Sequence, residues 1–314
     1  MKYLPVLLLF ITGCGITGAV ISDTYIQDTG SLEAHFCPGN CDTVLINEIN
    51  KAEEYLDCAL FELDHPLIQQ AVINSKVPKR IITDNNYLEE FDKPYVKTDT
   101  WGLMHNKFCV IDGKTVTTGS MNPTVNGVTK NNNNLVVIHS KLVSDQYQDE
   151  FDEMWNGTFK KGNNVRNPEI SLGESFLKVY FCPEDRCADR VKKELKKATH
   201  EIYFMTFSFT HEEIGNILLL KHTDGITVKG VMEARQVTKY SQFERLKFQG
   251  IDVVKDKNKQ NMHHKVFIID NRTVITGSFN PSNNGDKGND ENIVIIDDVD
   301  IAKGFLKEFE KVYG

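Results

Sequence analysis

The sequence predicts an α/β fold built twice within one chain, and three observations predict it. Short apolar runs rich in β-branched residues alternate with helix-like stretches, a block of motifs recurs at a fixed offset, and the composition suits a chain with a sizeable core. The 314 residues are 40% hydrophobic and 25% charged, with 9 Pro and 21 Gly. Those values exclude a disordered, collagenous or polytopic membrane chain, and the length fits one large or two medium domains. There are 36 basic against 44 acidic side chains, a net charge of -8. A wholly basic nucleic-acid binder is therefore excluded, although a local basic cleft is not.

The alternation is clear element by element. A helix-like stretch at 43–54 precedes an apolar strand at 55–63, and the same pair returns at 189–199 and 201–209. Runs at 80–83, 226–231 and 265–269 have the β-branched content of buried strands. At 189–199, Val191, Leu195 and Ala198 fall on one helical face, with Lys192, Lys193, Lys196 and Lys197 elsewhere. Strands interleaved with helices argue for mixed β-sheets flanked by helices.

The repeat is in register over most of its length. Met104-His105-Asn106-Lys107 and the strand ending in Asp112 match Met262-His263-His264-Lys265 and the strand ending in Asp270, an offset of 158 residues. The offset holds for Gly119-Ser120-Met121-Asn122 against Gly277-Ser278-Phe279-Asn280, for Asn134 against Asn292, and for Glu150 and Phe151 against Glu308 and Phe309. A Gly/Asn-rich joint at 157–169 separates the copies, giving segments 1–22, 23–165 and 166–314. The second copy carries extra residues around 237–250, read as an added helix. Two like copies pair about a pseudo-twofold axis, so a motif present once in each becomes one composite site.

The first segment reads as a signal. Lys2 is the only charge before Asp23, and an apolar run ends in Ile11-Thr12-Gly13-Cys14. That ending resembles a prokaryotic lipobox, with Cys14 the lipidated first residue of the mature chain. The rival readings are an uncleaved anchor and simple secretion. All three put the bulk of the chain outside the cytoplasm, tethered to a membrane or secreted. Disulfides form in such a compartment. The close pairs Cys37/Cys41 and Cys182/Cys187 are read as two local disulfides, whereas Cys58 and Cys109, inside apolar runs, are read as buried free thiols.

Chemistry concentrates in His-x-Lys-x4-Asp followed by Gly-Ser-x-Asn. Period-two alternation sends His105 and Lys107, and likewise His263 and Lys265, to one side of their strands. Lysine is almost never buried unpaired, so this pattern points to a site rather than a core. Asp112 and Asp270 end their strands in turn dipeptides, which leaves a turn role and a site role both open.

These residues carry a resemblance to the phospholipase D superfamily, whose signature is this duplicated motif. The wording of Tyr180-Phe181-Cys182-Pro183-Glu184-Asp185 and Phe207-Ser208-Phe209-Thr210 is similar to its small secreted endonuclease-like and cardiolipin-hydrolase-like branch. The resemblance implies phosphodiester hydrolysis through a covalent phosphohistidine, with no metal and no cofactor. Many members of that branch carry one motif and dimerise; here one chain holds both, so a monomer suffices. His105, His263, Lys107, Lys265 and Glu291 are the catalytic set. Ser120, Asn122, Ser278, Asn280 and Asn133 are placed on the substrate side. For Asp112 and Asp270 the resemblance implies the structural role.

One departure assigns the histidines. The resemblance implies that an acid after Gly-Ser-x-Asn orients the histidine of the opposite copy. Glu291 would hold His105, but Asn133 stands at the matching position and would hold His263. A carboxylate partner stabilises a developing imidazolium better than an amide, which makes His105 the nucleophile and His263 the general acid. The substrate is expected to be nucleic acid, on the wording of the motifs and the basic stretch 186–197. The alternative is a phospholipase D acting on headgroups at the membrane, and the remote one an inactive phosphate-binding module.

Overall fold

The computed structural model describes residues 25–99 and 102–314. Segment 1–22 and Cys14 lie outside them. Among the described residues no helix is long and apolar enough to cross a membrane.

The first half runs β1 (Ile26–Asp28), β2 (Ser31–Cys37), α1 (Cys41–Asn50), β3 (Leu56–Leu60), α2 (Pro66–Asn74), β4 (Lys79–Thr83), β5 (Val96–Thr98), β6 (Leu103–Met104), β7 (Lys107–Ile111), β8 (Thr115–Gly119), α3 (Val125–Thr129), β9 (Asn133–His139) and α4 (Lys141–Trp155). The second runs β10 (Glu169–Leu172), β11 (Ser175–Cys182), α5 (Cys187–Leu195), β12 (Glu201–Thr206), α6 (Glu212–Thr223), β13 (Thr227–Met232), α7 (Phe243–Phe248), β14 (Asp252–Lys255), β15 (Lys265–Ile269), β16 (Thr273–Gly277), α8 (Asn283–Lys287), β17 (Asn289–Asp297) and α9 (Val299–Tyr313).

Each half builds a mixed sheet of matching order. The first is β2-β9-β8-β7-β3-β4-β5, and the second contains β11-β17-β16-β15-β12-β13-β14, extended by β10 and β1. Strand β1 therefore leaves its own half and pairs in parallel with β10. Helices α4 and α9 lie between the sheets. Tyr147 and Phe151 of α4 and Phe305 and Phe309 of α9 share one core with Phe108, Val136, Val266 and Val294 from the two sheets. The outer faces are covered by α1 and α2 on one side and by α5, α6 and α7 on the other. The extra residues of the second copy form a loop followed by the short α7.

The first helix of each copy stops earlier than its periodicity predicts, and the motif aspartates are the reason. Asp112 accepts hydrogen bonds from the backbone N–H groups of Glu53, Glu54 and Tyr55 at 2.9, 2.7 and 2.9 Å. Asp270 does the same for Thr199, His200 and Glu201 at 2.8, 2.8 and 2.9 Å. Three donors on one carboxylate draw these residues out of the helical ladder and start β3 and β12. Both aspartates sit in left-handed turns, at φ 56° and 51°, a conformation that Asp tolerates better than most residues. Partial burial opposes their ionisation, but the backbone donors outweigh it and lower both pKa values.

The structure corrects one cysteine reading. Cys37–Cys41 and Cys182–Cys187 are bonded, but Cys58 and Cys109 are also a disulfide rather than free thiols. They lie directly opposite each other on antiparallel β3 and β7, on one face of the sheet. The matching pair in the second copy is Phe204 opposite Phe267, with ring centroids 6.2 Å apart. Gly230 makes room for that larger pair: a Cβ there would come within 2.0 Å of the Phe204 ring.

Asp112→Asn removes the charge that favours three N–H donors. It should lower the unfolding free energy by roughly 1–2 kcal/mol, towards the lower end because the turn is open to solvent. Because the native pKa is lowered, the wild-type advantage is present at neutral pH and fades as the carboxylate protonates in acid. Urea titrations at two pH values check this; equal stability at neutral pH would remove the clamp.

Candidate active site

Each histidine motif is docked onto the opposite repeat. The His105 N–H donates to the Asp290 carbonyl at 2.9 Å, and the His263 N–H donates to the Asn132 carbonyl at 2.8 Å. β6 pairs with the start of β17, Met104 opposite Asp290, and Asn132 bridges Met262 in the symmetric place. The next residue along each receiving chain is then delivered to the imidazole. His105 Nδ1 lies 2.8 Å from Glu291 Oε2, and His263 Nδ1 lies 2.9 Å from Asn133 Oδ1 and 3.2 Å from the Ser120 carbonyl. A carboxylate only accepts, so Nδ1 of His105 donates and Nε2 keeps its lone pair.

The lysines complete the constellation. Lys265 Nζ lies 3.0 Å from His263 Nε2 and donates to the His263 carbonyl at 2.8 Å. Lys107 Nζ donates to the His105 carbonyl. All four side chains are buried: His105 is 6% exposed, His263 8%, Lys107 3% and Lys265 3%.

The Gly-Ser turns serve the partners of the histidines. Gly119 and Gly277 have φ +135° and +144°, and a Cβ at either would come within 2.5 or 2.2 Å of the Asn134 or Asn292 carbonyl. That close approach lets the Ser120 hydroxyl accept from Asn134 N at 3.0 Å and donate to Asn133 Oδ1 at 3.1 Å. Ser278 Oγ accepts from Asn292 N at 2.9 Å and bonds Glu291. Ser120, Ser278 and Asn133 are fully buried. Asn133 holds His263 directly, Ser120 holds Asn133, and Ser278 holds Glu291. Asn122 is 7% exposed and Asn280 half-buried.

Three residues were missed. Phe61 and Phe207 pack edge-on against His105 and His263, with ring centroids 4.9 and 4.6 Å from the imidazoles. Lys107 and Lys265 lie 4.7 and 5.1 Å from the same two rings. Glu62, next to Phe61, accepts a hydrogen bond from Asn122 Nδ2. Its signal in the sequence is the misfit of Phe61-Glu62-Leu63-Asp64 against Phe207-Ser208-Phe209-Thr210.

Burial dominates the electrostatics. It lowers both histidines well below their ordinary pKa, and the two lysines push the same way. Burial brings Lys107 down to about 7 despite the pull of Glu291 and Glu62, and Lys265 well below its usual range. Burial also lifts Glu291 to about 7 against the lowering effect of Lys107. Paired cationic groups with neutral imidazoles suit an incoming anion, whose charge restores that of the lysines.

The sequence showed no carboxylate cluster with metal-ligand spacing, but the fold assembles one. Glu150, Glu153 and Glu184 offer oxygens within 4.8 Å of one another, beside α4 and after Cys182-Pro183. The four His and Lys side chains are not part of it. Nearer the histidines, besides Glu291 and Glu62, Asp84 accepts from Met104 N at 3.2 Å and Glu233 from Met262 N at 2.7 Å, so each of these carboxylates is tied to the backbone beside a histidine motif.

A family model described as cardiolipin synthase, PLD-like domain, matches residues 45–155 and 191–313, once in each repeat. A phospholipase D of Rickettsia conorii is 32% identical over 147 residues, 46% of this chain and 74% of its own length. A mitochondrial cardiolipin hydrolase of Mus musculus is 30% identical over 150 residues, 48% of this chain and 68% of its own. Both matches are about one repeat long. The fold is similar to that of a phosphatidylserine synthase of Haemophilus influenzae, with TM-score 0.67 at 13% identity over 88% of this chain and 85% of the other. With both motifs in place and both repeats matched, this chain belongs to the phospholipase D superfamily as a tandem duplication of its domain.

Proposed function

We propose that the chain is a phospholipase D-type hydrolase that releases headgroups from phospholipids outside the cytoplasm through a covalent phosphohistidine. The observation that carries the phosphodiester chemistry is the pair of buried imidazoles, each held at Nδ1 by the opposite repeat, with two lysines between them. Relatives named phospholipase D and cardiolipin hydrolase favour lipid as the substrate. Nucleic acid is the competing substrate. Its support in the sequence was the wording of the motifs and the basic stretch 186–197, and much of the charge of that stretch is neutralised in place. Arg186 and Lys192 pair with Asp189, Lys192 also with Glu213, and Lys197 with Glu194. Three disulfides suit an oxidising compartment.

His105 Nε2 attacks phosphorus, forming the N–P bond as the ester P–O bond breaks. Lys107 and Lys265 neutralise charge on the equatorial oxygens, with Asn122 and Asn280 as neutral donors. The departing oxygen takes the Nε2 proton of His263 in its imidazolium form, which takes up a proton from solvent when the bound phosphate anion offsets the charge of Lys265. Water then attacks phosphorus, its proton passes to His263, and the P–N bond breaks. Glu291 holds the Nδ1–H of His105 and stabilises its positive charge in the adduct.

Phosphatidylcholine vesicles and single-stranded DNA, assayed side by side, test the substrate. Release of headgroup without DNA cleavage is expected, and the reverse would return the nucleic-acid reading. Because the lysines and asparagines carry the phosphate charge, hydrolysis should survive EDTA; complete loss, restored by a divalent ion, would sink the metal-free mechanism.

The histidines divide by trapping. His105→Ala should abolish both adduct and turnover. With an activated aryl phosphodiester, whose leaving group needs little protonation, His263→Ala should still form the adduct on His105 and accumulate it. Peptide mapping under alkaline conditions reads the label; label on His263 alone in the wild type would reverse the assignment.

The pH profile follows from the shifted groups. Glu291 must be ionised to accept from His105, so kcat/KM should fall as pH drops below about 7. Lys107 must be charged, so it should fall again above about 7. The two limbs are apparent values of a coupled set. Glu291→Gln should lower kcat/KM and flatten the acid limb. A wild-type profile flat from about pH 5.5 to about 8.5 would contradict these assignments.

A further inference from the structure

We propose that Glu62 is a specificity residue that receives the positive charge of an ammonium-bearing headgroup, so that the preferred substrate is a zwitterionic choline- or ethanolamine-type phosphodiester. This deepens, and rests on, the phosphodiesterase reading above. The chain leaves β3 and β12 in the same way in both copies. Phe61 N donates to the Asn106 carbonyl at 2.9 Å, and Phe207 N donates to the His264 carbonyl at 2.8 Å. Glu62 and Ser208 follow at matching positions, so one half of a near-symmetric site carries a carboxylate where the other carries a hydroxyl.

Glu62 is placed inside the substrate side. Its carboxylate accepts from Asn122 Nδ2 and lies within the field of Lys107. Phe61, its chain neighbour, packs on His105 and on Tyr87, the latter at a centroid distance of 4.8 Å. Glu62 also acts electrostatically on Tyr87, and a carboxylate in an aromatic neighbourhood suits a quaternary or primary ammonium.

The charge count argues the same way. The lysines are the cations of the site, and Glu291 is committed to His105. A second carboxylate subtracts attraction for a bare phosphodiester anion and is itself partly desolvated, which raises its pKa, with Lys107 and Asn122 opposing that rise. A cation on the ligand adds a further favourable partner for it. Ser208 in the other half has no charge to offer, so the phosphodiester is oriented as well as selected.

Two soluble probes isolate the charge: p-nitrophenyl phosphocholine and its uncharged isostere, p-nitrophenyl 3,3-dimethylbutyl phosphate. The wild type should favour the choline ester by about tenfold in kcat/KM, in line with one carboxylate–cation contact. Glu62→Gln, which keeps an acceptor for Asn122, should erase that ratio mainly through KM. Glu62→Ser, which installs the residue of the second copy, should erase it as well. An equal loss on both probes would show a structural role only and overturn the proposal, as would a wild type without preference. Calorimetric binding of the same probes to His105→Ala separates the two readings. Preference in binding without any wild-type turnover keeps the ammonium subsite and removes the phosphodiesterase; turnover with equal binding removes the subsite alone. Vesicles of phosphatidylcholine and phosphatidylglycerol then distinguish a lipid headgroup from a free ester.

Discussion

The hydrogen bonds that cross between the repeats are the constraint on which the rest of this structure depends. Neither half contains a finished histidine: the ring of each copy is fixed by a residue of the other. The seam around them is polar and buried. Thr118 Oγ1 donates to Asn292 Oδ1 and Thr276 Oγ1 to Asn134 Oδ1, both at 2.9 Å. Asn292 Nδ2 donates to Asn106 Oδ1 at 2.8 Å, and Asn134 Nδ2 lies 3.1 Å from His264 Nδ1. In a low-dielectric seam an unpaired amide is costly and a paired one is strong. Sliding one repeat on the other would break several such bonds at once. The catalytic spacing is therefore set by the interface, and the two long helices α4 and α9 wedge the sheets to hold it.

Duplication within one chain frees the two halves to differ where a symmetric dimer could not. Glu291 on His105 has Asn133 on His263 as its counterpart, so the two histidines have chemically different partners. His264 and Glu308 form a buried pair at 3.5 Å, whereas the matching Asn106 leaves Glu150 without that partner. Glu150 turns to Glu184 instead. Burial first, and the charge of Glu184 next, raise its pKa well above the usual carboxylate range. Phe204 and Phe267 replace a disulfide, and Ser208 replaces Glu62. Each change is local, because the backbone around it is held by contacts that both halves keep.

Legibility in the sequence followed the range of the interaction. The repeat, the alternation and the His/Lys pattern are local signals, and they place the sheets and the centre of the site. The partners Glu291 and Asn133 were found only because the copies could be aligned and a mismatch seen. Cys58 and Cys109 were misread because alternation reports the face of a strand but not which residue lies opposite on its neighbour. The helix ends near 50 and 195 were misplaced because Asp112 and Asp270 act from the far end of another strand. Ser120 and Ser278 look like ligands in a motif, yet the close approach at Gly119 and Gly277 turns their hydroxyls inward. Nothing in the sequence told that β1 would join the other sheet, since edge pairing depends on how the halves stack.

The buried lysines show what this architecture costs and what it gains. Removing Lys107, Lys265, Glu291 and two imidazoles from water disfavours their charged forms, so the site is costly within an otherwise well-packed core. Proteins hold such sites only when the surroundings over-determine them, and here three hydrophobic clusters and the polar seam do so. In the reading proposed above, a phosphate bound between the lysines would supply an anion, the lysines would regain their protons, and His263 would gain a neighbour that favours its imidazolium. The burial that disfavours these charges would also leave them unscreened towards the phosphate. Pre-organisation of this kind cannot be moved to a flexible loop. It needs groups fixed from two independent sheets, which is what the inter-repeat hydrogen bonds provide.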